Sequence, residues 1–286
     1  MGGFTDGFAE ANGQRIAFSL GGSGPPLLLL HGFPQTRALW WRVAPVLADR
    51  FTVVTADLRG YGGSSKPEGA EHYTFREMGN DMFGLMSGLG FDRFHLAGHD
   101  RGARTGYRMA LDDEARLMSL TLMDIVSTDH LLDPLHRNVA TAYYHWFFLA
   151  QPKPFPETLI LADPDYFFES CLLGWGGARL SDFAVDQLAA YREAWRDPDT
   201  VGAMCDDYRA TLKHDFAMDR DEAGRTLTLP AHVLYGADGA MARAYDVPAT
   251  WRGRLCEMDA RALPGGHFFI DTAPEATAEA LLGLLS

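Results

Sequence analysis

The chain alternates short apolar runs with stretches of helical period. Arg15 to Leu20 alternates polar and apolar positions, as a strand with one wet face does, and Gly21-Gly22-Ser23-Gly24-Pro25 ends it in a turn. Pro26 to Leu30, Phe51 to Ala56, Phe94 to Ala97 and Leu120 to Val126 read as buried strands. Between them the period changes. A helix is expected from Arg37, capped by Thr36, with Leu39, Trp40, Val43, Val46 and Leu47 on one face. Another runs from Thr74 to Leu89, where Met78, Met82, Leu85, Met86 and Leu89 form a core-facing stripe, and a third from Arg101 to Leu111. Strands and helices alternating in short steps predict an α/β fold: a mostly parallel sheet with helices on both faces.

That rhythm stops at about Ser127. Up to Gly224 the strand signal is lost, aromatic and Pro-rich segments take over, and helical runs such as Asp182 to Trp195 and Met204 to Leu212 stand in its place. The rhythm resumes at His232 to Gly236 and Leu255 to Met258 and closes with an amphipathic helix from Pro274 to Leu284. The expected organisation is therefore a core in two parts, residues 1–126 and 225–286, with a helical cap, residues 127–224, inserted over its active face.

Composition narrows the function classes. At 286 residues and 47% apolar content the chain can bury a full core. The formal charge of −13 argues against nucleic acid or an anionic membrane surface as partner, and any anionic substrate needs locally placed cations. Cys171, Cys205 and Cys256 are widely spaced and odd in number, which favours buried thiols over a disulfide framework or a zinc site. Neither a signal-peptide core nor a membrane-length apolar stretch is visible, so a cytoplasmic location is expected.

The chemistry gathers where Phe94 to Ala97 runs into Gly98-His99-Asp100-Arg101-Gly102. A Gly-x-Ser-x-Gly turn between strand and helix exposes its central side chain as a nucleophile, and here that residue is Asp100. A carboxylate there can attack carbon and form an ester that a second step must hydrolyse. The bland alternative is a glycine-rich turn with an Asp helix cap. In such an arrangement an acid and then a histidine follow the nucleophile, each just past a strand end. Gly265-Gly266-His267-Phe268 lies between the last strand and the last helix, which suits the histidine. For the acid two positions stay open, Asp124 and Asp238. Asp124 is preferred because it lies inside Leu122-Met123-Asp124-Ile125-Val126, where an unpaired carboxylate is costly. Arg101 and Arg104 share a helix face beside Asp100. Cations at a helix N-terminus oppose the macrodipole, so the pair is better explained by recognition of a carboxylate. Upstream, the His31-Gly32-Phe33-Pro34 loop could turn backbone N–H groups toward a ligand.

Together these residues carry a family resemblance. Gly98-His99-Asp100-Arg101-Gly102-Ala103-Arg104 and His31-Gly32-Phe33-Pro34 resemble the fluoroacetate (haloacetate) dehalogenases of the α/β-hydrolase superfamily. The likeness continues through Tyr144-His145-Trp146-Phe147-Phe148-Leu149-Ala150-Gln151-Pro152 and Met204-Cys205-Asp206-Asp207-Tyr208-Arg209-Ala210 to Gly266-His267-Phe268. It implies the α/β-hydrolase fold and hydrolysis of short 2-haloacids to 2-hydroxy acids plus halide. By this resemblance Asp100 is the nucleophile, His267 the base and Asp124 its orienting acid, while Arg101 and Arg104 bind the substrate carboxylate. His145, Trp146 and Tyr208 form a halide pocket, a role for which an imidazole, an indole and a phenol are suitable donors. Backbone N–H groups of Phe33 and Arg101 are expected to face the oxyanion. No metal or organic cofactor is implied, and a homodimer packed through the cap is. Haloalkane dehalogenases carry Asn after the His-Gly and Trp after the nucleophile; Phe33 and Arg101 stand there instead. An epoxide hydrolase using the same nucleophile with cap tyrosines (Tyr143, Tyr144, Tyr166, Tyr191, Tyr208) is the runner-up. A non-catalytic ligand-binding relative would be expected to lack the nucleophile or the histidine, and both are present.

Overall fold

Alternate side chains of one short strand, Pro26–Leu30, part the hydrophobic interior in two: Leu28 and Leu30 pack on one face of the sheet, Leu27 and Leu29 on the other. In the computed structural model, which describes residues 1–132, 137–174 and 177–285, this strand (β3) is central in an eight-stranded sheet. The strands are β1 (Phe4–Ala11), β2 (Gln14–Gly22), β3, β4 (Thr52–Ala56), β5 (Phe94–His99), β6 (Leu117–Met123), β7 (Ala231–Gly236) and β8 (Met258–Leu263), in spatial order β1-β2-β4-β3-β5-β6-β7-β8. β1 and β2 form an antiparallel hairpin, β2 lies antiparallel to β4, and every pair from β4 through β8 is parallel.

Local chemistry explains where elements stop. Helix α1 (Phe75–Gly88) starts at Thr74, whose hydroxyl accepts the Glu77 N–H at 3.2 Å. The helix expected from Arg37 is broken into single turns, Arg37–Trp40 and Ala44–Leu47. Pro45 has no N–H to return to the Trp41 carbonyl, and Val46, expected on the buried face, is exposed. β6 starts earlier than its apolar run and ends before Asp124, which leaves the sheet at φ 51°. β8 starts at Met258 rather than Leu255. It is an edge strand exposed along most of its length, so its sequence lacks the apolar run that marks a buried strand. β1 was not expected at all, although Asn12-Gly13, both at positive φ, is a hairpin turn signal in the sequence. Cys171 and Cys205 are buried, but Cys256, in the exposed approach to β8, is not the buried thiol expected.

Helix α2 (Arg101–Asp112) follows β5 directly. Between β6 and β7 the regular elements among the described residues are helical, apart from an isolated bridge from Leu227 to Leu255. They include α3 (Tyr144–Leu149), α4 (Phe155–Ala162), α5 (Pro164–Gly174), α6 (Val185–Trp195) and α7 (Pro198–Ala210), the last continuing through a π-turn, Thr211–Asp215, into α8 (Phe216–Asp221). Polar ties join this block to the core. Gln187 donates to the carbonyls of Ala38 and Leu39 at 2.9 and 3.1 Å, and the Tyr191 hydroxyl donates to Asp271 at 2.8 Å. The chain ends in α9 (Pro274–Leu284), as its pattern predicts. Among the described residues no helix is long and apolar enough to cross a membrane.

Candidate active site

Asp100 links β5 to α2 at φ 47° and ψ −110°, a conformation that L-residues rarely adopt. Its neighbours make the turn fit. A Cβ on Gly98 would come within 2.4 Å of the Gly102 carbonyl oxygen, and one on Gly102 within 2.5 Å of the His31 carbonyl oxygen. Side chains at those two positions would prise strand and helix apart. The Asp100 N–H is held by the Met123 carbonyl at 3.1 Å, and its Oδ2 accepts the Phe33 N–H at 3.1 Å. Arg101 opens α2, where backbone N–H groups have no intrahelical acceptor.

His267 comes from the loop between β8 and α9. Its Nδ1 donates to Asp124 Oδ2 at 2.6 Å, while Asp124 Oδ1 accepts the Gly236 N–H at 2.9 Å. The backbone of the other sequence candidate, Asp238, is bound to Gly265 and Arg243. Buried His99 donates Nε2–H to the His267 carbonyl at 2.9 Å and fixes the loop. Burial opposes charge on both reacting groups, yet neighbours outweigh it. His267, His99, Arg104 and Arg101 hold the Asp100 carboxyl below its ordinary value. Asp124 and Asp100 raise the His267 imidazole above its own.

The two arginines differ in their partners. Arg104 spends NH1 on the Val126 carbonyl at 2.9 Å and the Thr128 hydroxyl at 3.2 Å, and it lies over the Trp146 ring at 4.7 Å. Its Nε and NH2 have no hydrogen-bond partner among the described residues. Arg101 is sandwiched by Phe75 and Tyr208, each at 4.5 Å, and is bound to Asp207 of α7 through Nε (2.9 Å) and NH2. NH2 also donates to the Thr211 hydroxyl at 2.6 Å, which leaves only NH1 without a partner among the described residues. The sequence reading missed Asp207, Thr211 and Tyr61, whose hydroxyl donates to Asp207 at 2.7 Å. Arg101 offered one signal: a guanidinium that close to a core strand needs an anion, and the helical run carries Asp206-Asp207.

Opposite Asp100 stand aromatic side chains of the helical block. His145 and Trp146 of α3 each lie 5.5 Å, ring to ring, from Tyr208 of α7. Phe33 stacks on His145 at 5.7 Å and meets Tyr208 edge-on at 5.2 Å. Burial pushes the His145 imidazole well below its usual range, so it stays neutral, and pushes the Tyr208 phenol well up, so it keeps its proton. Of the other tyrosines in the block, Tyr143 is buried and feels the Asp100 charge, Tyr191 is engaged with Asp271, and Tyr144 and Tyr166 are exposed. Among the described residues no group of three or more His, Cys, Asp or Glu side chains is arranged to hold a metal ion.

A sequence model described as the alpha/beta hydrolase fold matches residues 25–274. The chain is 50% identical over 287 aligned residues to a fluoroacetate dehalogenase of Burkholderia sp, covering 99% of this chain and 94% of that protein. It is 28% identical to a soluble epoxide hydrolase of Corynebacterium sp. (strain C12), covering 96% and 94%. A crystal structure from Nostoc sp PCC 7120, assigned to the α/β hydrolases, superposes with a TM-score of 0.96 at 43% identity, covering 99% of this chain and 98% of that one.

Proposed function

The chain belongs to the fluoroacetate dehalogenase family of the α/β hydrolases, and from that premise we propose that it hydrolyses short 2-haloacids, fluoroacetate and chloroacetate among them, to a 2-hydroxy acid and halide. One observation carries the reading: an ionised carboxylate on the turn after β5 lies beside two guanidinium groups that still have N–H groups to give. A neutral haloalkane would leave those buried donors unanswered.

In the proposed first step Arg101 and Arg104 hold the substrate carboxylate, and Asp100 attacks the α-carbon from the side opposite the halogen. The carbon–oxygen bond forms as the carbon–halogen bond breaks, with inversion and an ester on Asp100. Fluoride leaves poorly from carbon and accepts hydrogen bonds strongly, so donors aimed at it lower the barrier. His145, Trp146 and Tyr208 supply them, and neutral His145 and protonated Tyr208 have N–H and O–H groups for the task. In the second step His267, oriented through Nδ1 by Asp124, takes a proton from water with Nε2. The hydroxide adds to the Asp100 ester carbonyl, backbone N–H groups of Phe33 and Arg101 stabilise the oxyanion, and its collapse breaks the ester bond, so that the 2-hydroxy acid leaves with the proton that His267 took and Asp100 is restored as a carboxylate. The Phe33 N–H already points at Asp100 Oδ2, which supports its part.

Halide release from fluoroacetate and chloroacetate tests the reading. The wild-type protein is expected to release halide, and Asp100→Asn to lose at least about a thousandfold in rate. Comparable release by the variant would remove Asp100 from its role. The two buried phenols near Asp100, Tyr143 and Tyr208, favour a second reading in which they protonate an opening epoxide. Neutral epoxides turned over faster than chloroacetate would establish it.

The same proposal takes residues 127–224 as the cap, a cytoplasmic location, for which three free cysteines give support, and a homodimer packed through the cap. Tyr144, Phe155, Leu159, Leu161 and Tyr166 are exposed on α3 to α5, which supports that face as the contact. Replacing Phe155 and Leu159 by Glu is expected to yield monomers by sedimentation; an unchanged dimer would exclude this face.

A further inference from the structure

Arg101 and Arg104 are three residues apart on one helix, yet their surroundings differ in one respect. Arg104 is bound only to a carbonyl and a hydroxyl, both neutral, so its charge is uncompensated by its hydrogen-bond partners. Arg101 faces a carboxylate, Asp207, that is fully buried and comes from α7. Asp207 is itself held in place: Oδ2 accepts from both Arg101 Nε and the Tyr61 hydroxyl, and its backbone carbonyl accepts from Arg101 NH2 and Thr211. Thr211 opens the π-turn after α7 and gives Arg101 NH2 a further acceptor. Single π-turns inside helices often mark such functional placements.

Stability gives little reason for this arrangement. Taking an Arg and an Asp out of water is costly, and a buried pair is commonly no better than apolar residues of its size. What the pair does achieve is geometric. A guanidinium has five N–H donors in a rigid fork, and the contacts on Arg101 use its Nε and NH2, leaving NH1. Arg104, pinned by NH1, leaves Nε and NH2, the edge that grips a carboxylate with two parallel bonds.

We infer that Asp207 is a positioning residue for the substrate carboxylate: it turns Arg101 so that only its NH1 group is left to give, and it offsets the Arg101 charge so that Arg104 is the two-pronged anchor. The inference rests on the dehalogenase reading for the identity of the acid that is held. Cancelling one of the two cations has a purpose. An acid drawn in by two uncompensated guanidinium groups has more than one pose of similar energy, and only the pose with its α-carbon in line with Asp100 reacts. Asp207 thus trades affinity for orientation.

The test separates binding from chemistry. Acetate, which has the carboxylate and no leaving group, reports binding by calorimetry, and chloride release from chloroacetate reports turnover. Both are compared per folded molecule in wild type, Asp207→Asn and Thr211→Val. For Asp207→Asn the expected result is a kcat lower by about tenfold to a hundredfold, with acetate bound at least as tightly as before. Thr211→Val is expected to lower kcat less, with acetate affinity unchanged. A kcat unchanged in both variants, or kcat and acetate affinity falling in proportion, overturns the proposal. Should Asp207→Asn not fold, Thr211→Val decides by the same criterion. A wild type that binds acetate and releases no halide sinks the dehalogenase reading instead. The present inference is then judged by acetate alone: Arg104→Lys must weaken it more than Arg101→Lys, and equal or reversed losses refute it.

Discussion

His267 carries a contradiction that the site resolves in time. Against burial, Asp124 and Asp100 raise its imidazole above the ordinary value, which strengthens its hold on a proton, yet ester hydrolysis needs a neutral base. Forming the ester neutralises Asp100 and removes one of the charges that raise His267, so the base is released when it is needed. The sign follows directly: the imidazole pKa in the ester lies below that in the free protein. When ester hydrolysis limits turnover, the acid limb of kcat is expected at lower pH than the midpoint of His267 followed by NMR in the free protein. Coinciding midpoints would mean that the Asp100 charge does not act on His267. At this scale much of the candidate site was legible. Asp100, Arg101 and Arg104 are sequence neighbours, and His267 announces itself through its glycines. Asp207, Tyr61 and Thr211 were not legible, because pairing between residues more than a hundred positions apart leaves no local pattern.

Among the elements, the attachment of α6 to the core holds the least ordinary group. Asp271 is fully buried, and accepts from Tyr191 of α6 at 2.8 Å and from Gln35 at 2.5 Å. Burial pushes its carboxyl up to about 7 against those two hydrogen bonds. Below the ordinary carboxylate value both folded and unfolded chains hold the proton. As pH rises toward 7 only the unfolded chain releases it, so the folded state loses relative stability, and above 7 the loss is complete. Asp271→Asn keeps a polar side chain and removes the titration. Its melting temperature relative to wild type is therefore expected to rise between pH 5 and 8, by about 5 °C. A difference independent of pH would show that Asp271 ionises normally. The strands and helices themselves were read best where burial is two-sided, as in β3 and β4, or the amphipathic stripe is long, as in α1 and α9. Edge strand β1 escaped and β8 was expected too early, because burial, which writes the pattern, is partial there. The helix expected after Thr36 failed on a proline that apolar spacing alone does not weigh.

The molecule as a whole repels the substrate that its site attracts. With a formal charge of −13, an approaching haloacid meets a net negative field, against which the buried guanidinium groups supply local positive charge. Salt screens the long-range part over about 8–10 Å and leaves the enclosed contacts nearly intact. Raising ionic strength from about 10 to 150 mM with a non-halide salt is expected to increase kcat/KM for chloroacetate by about twofold. A decrease would mean that exposed cations, and not the enclosed pair, gather the substrate.

β6 and β7 are adjacent and parallel, from Leu120 beside Ala231 to Met123 beside Leu234, so everything between them is one detour from a continuous sheet. Such a detour is modular in inheritance: a lineage can recast the helical block while the sheet stays as it is. The buried carboxylate that reaches from that block to Arg101 limits the freedom. Any replacement block lacking an anion at that spot would strand a cation in the dark, and grafts between relatives should succeed or fail on that one side chain.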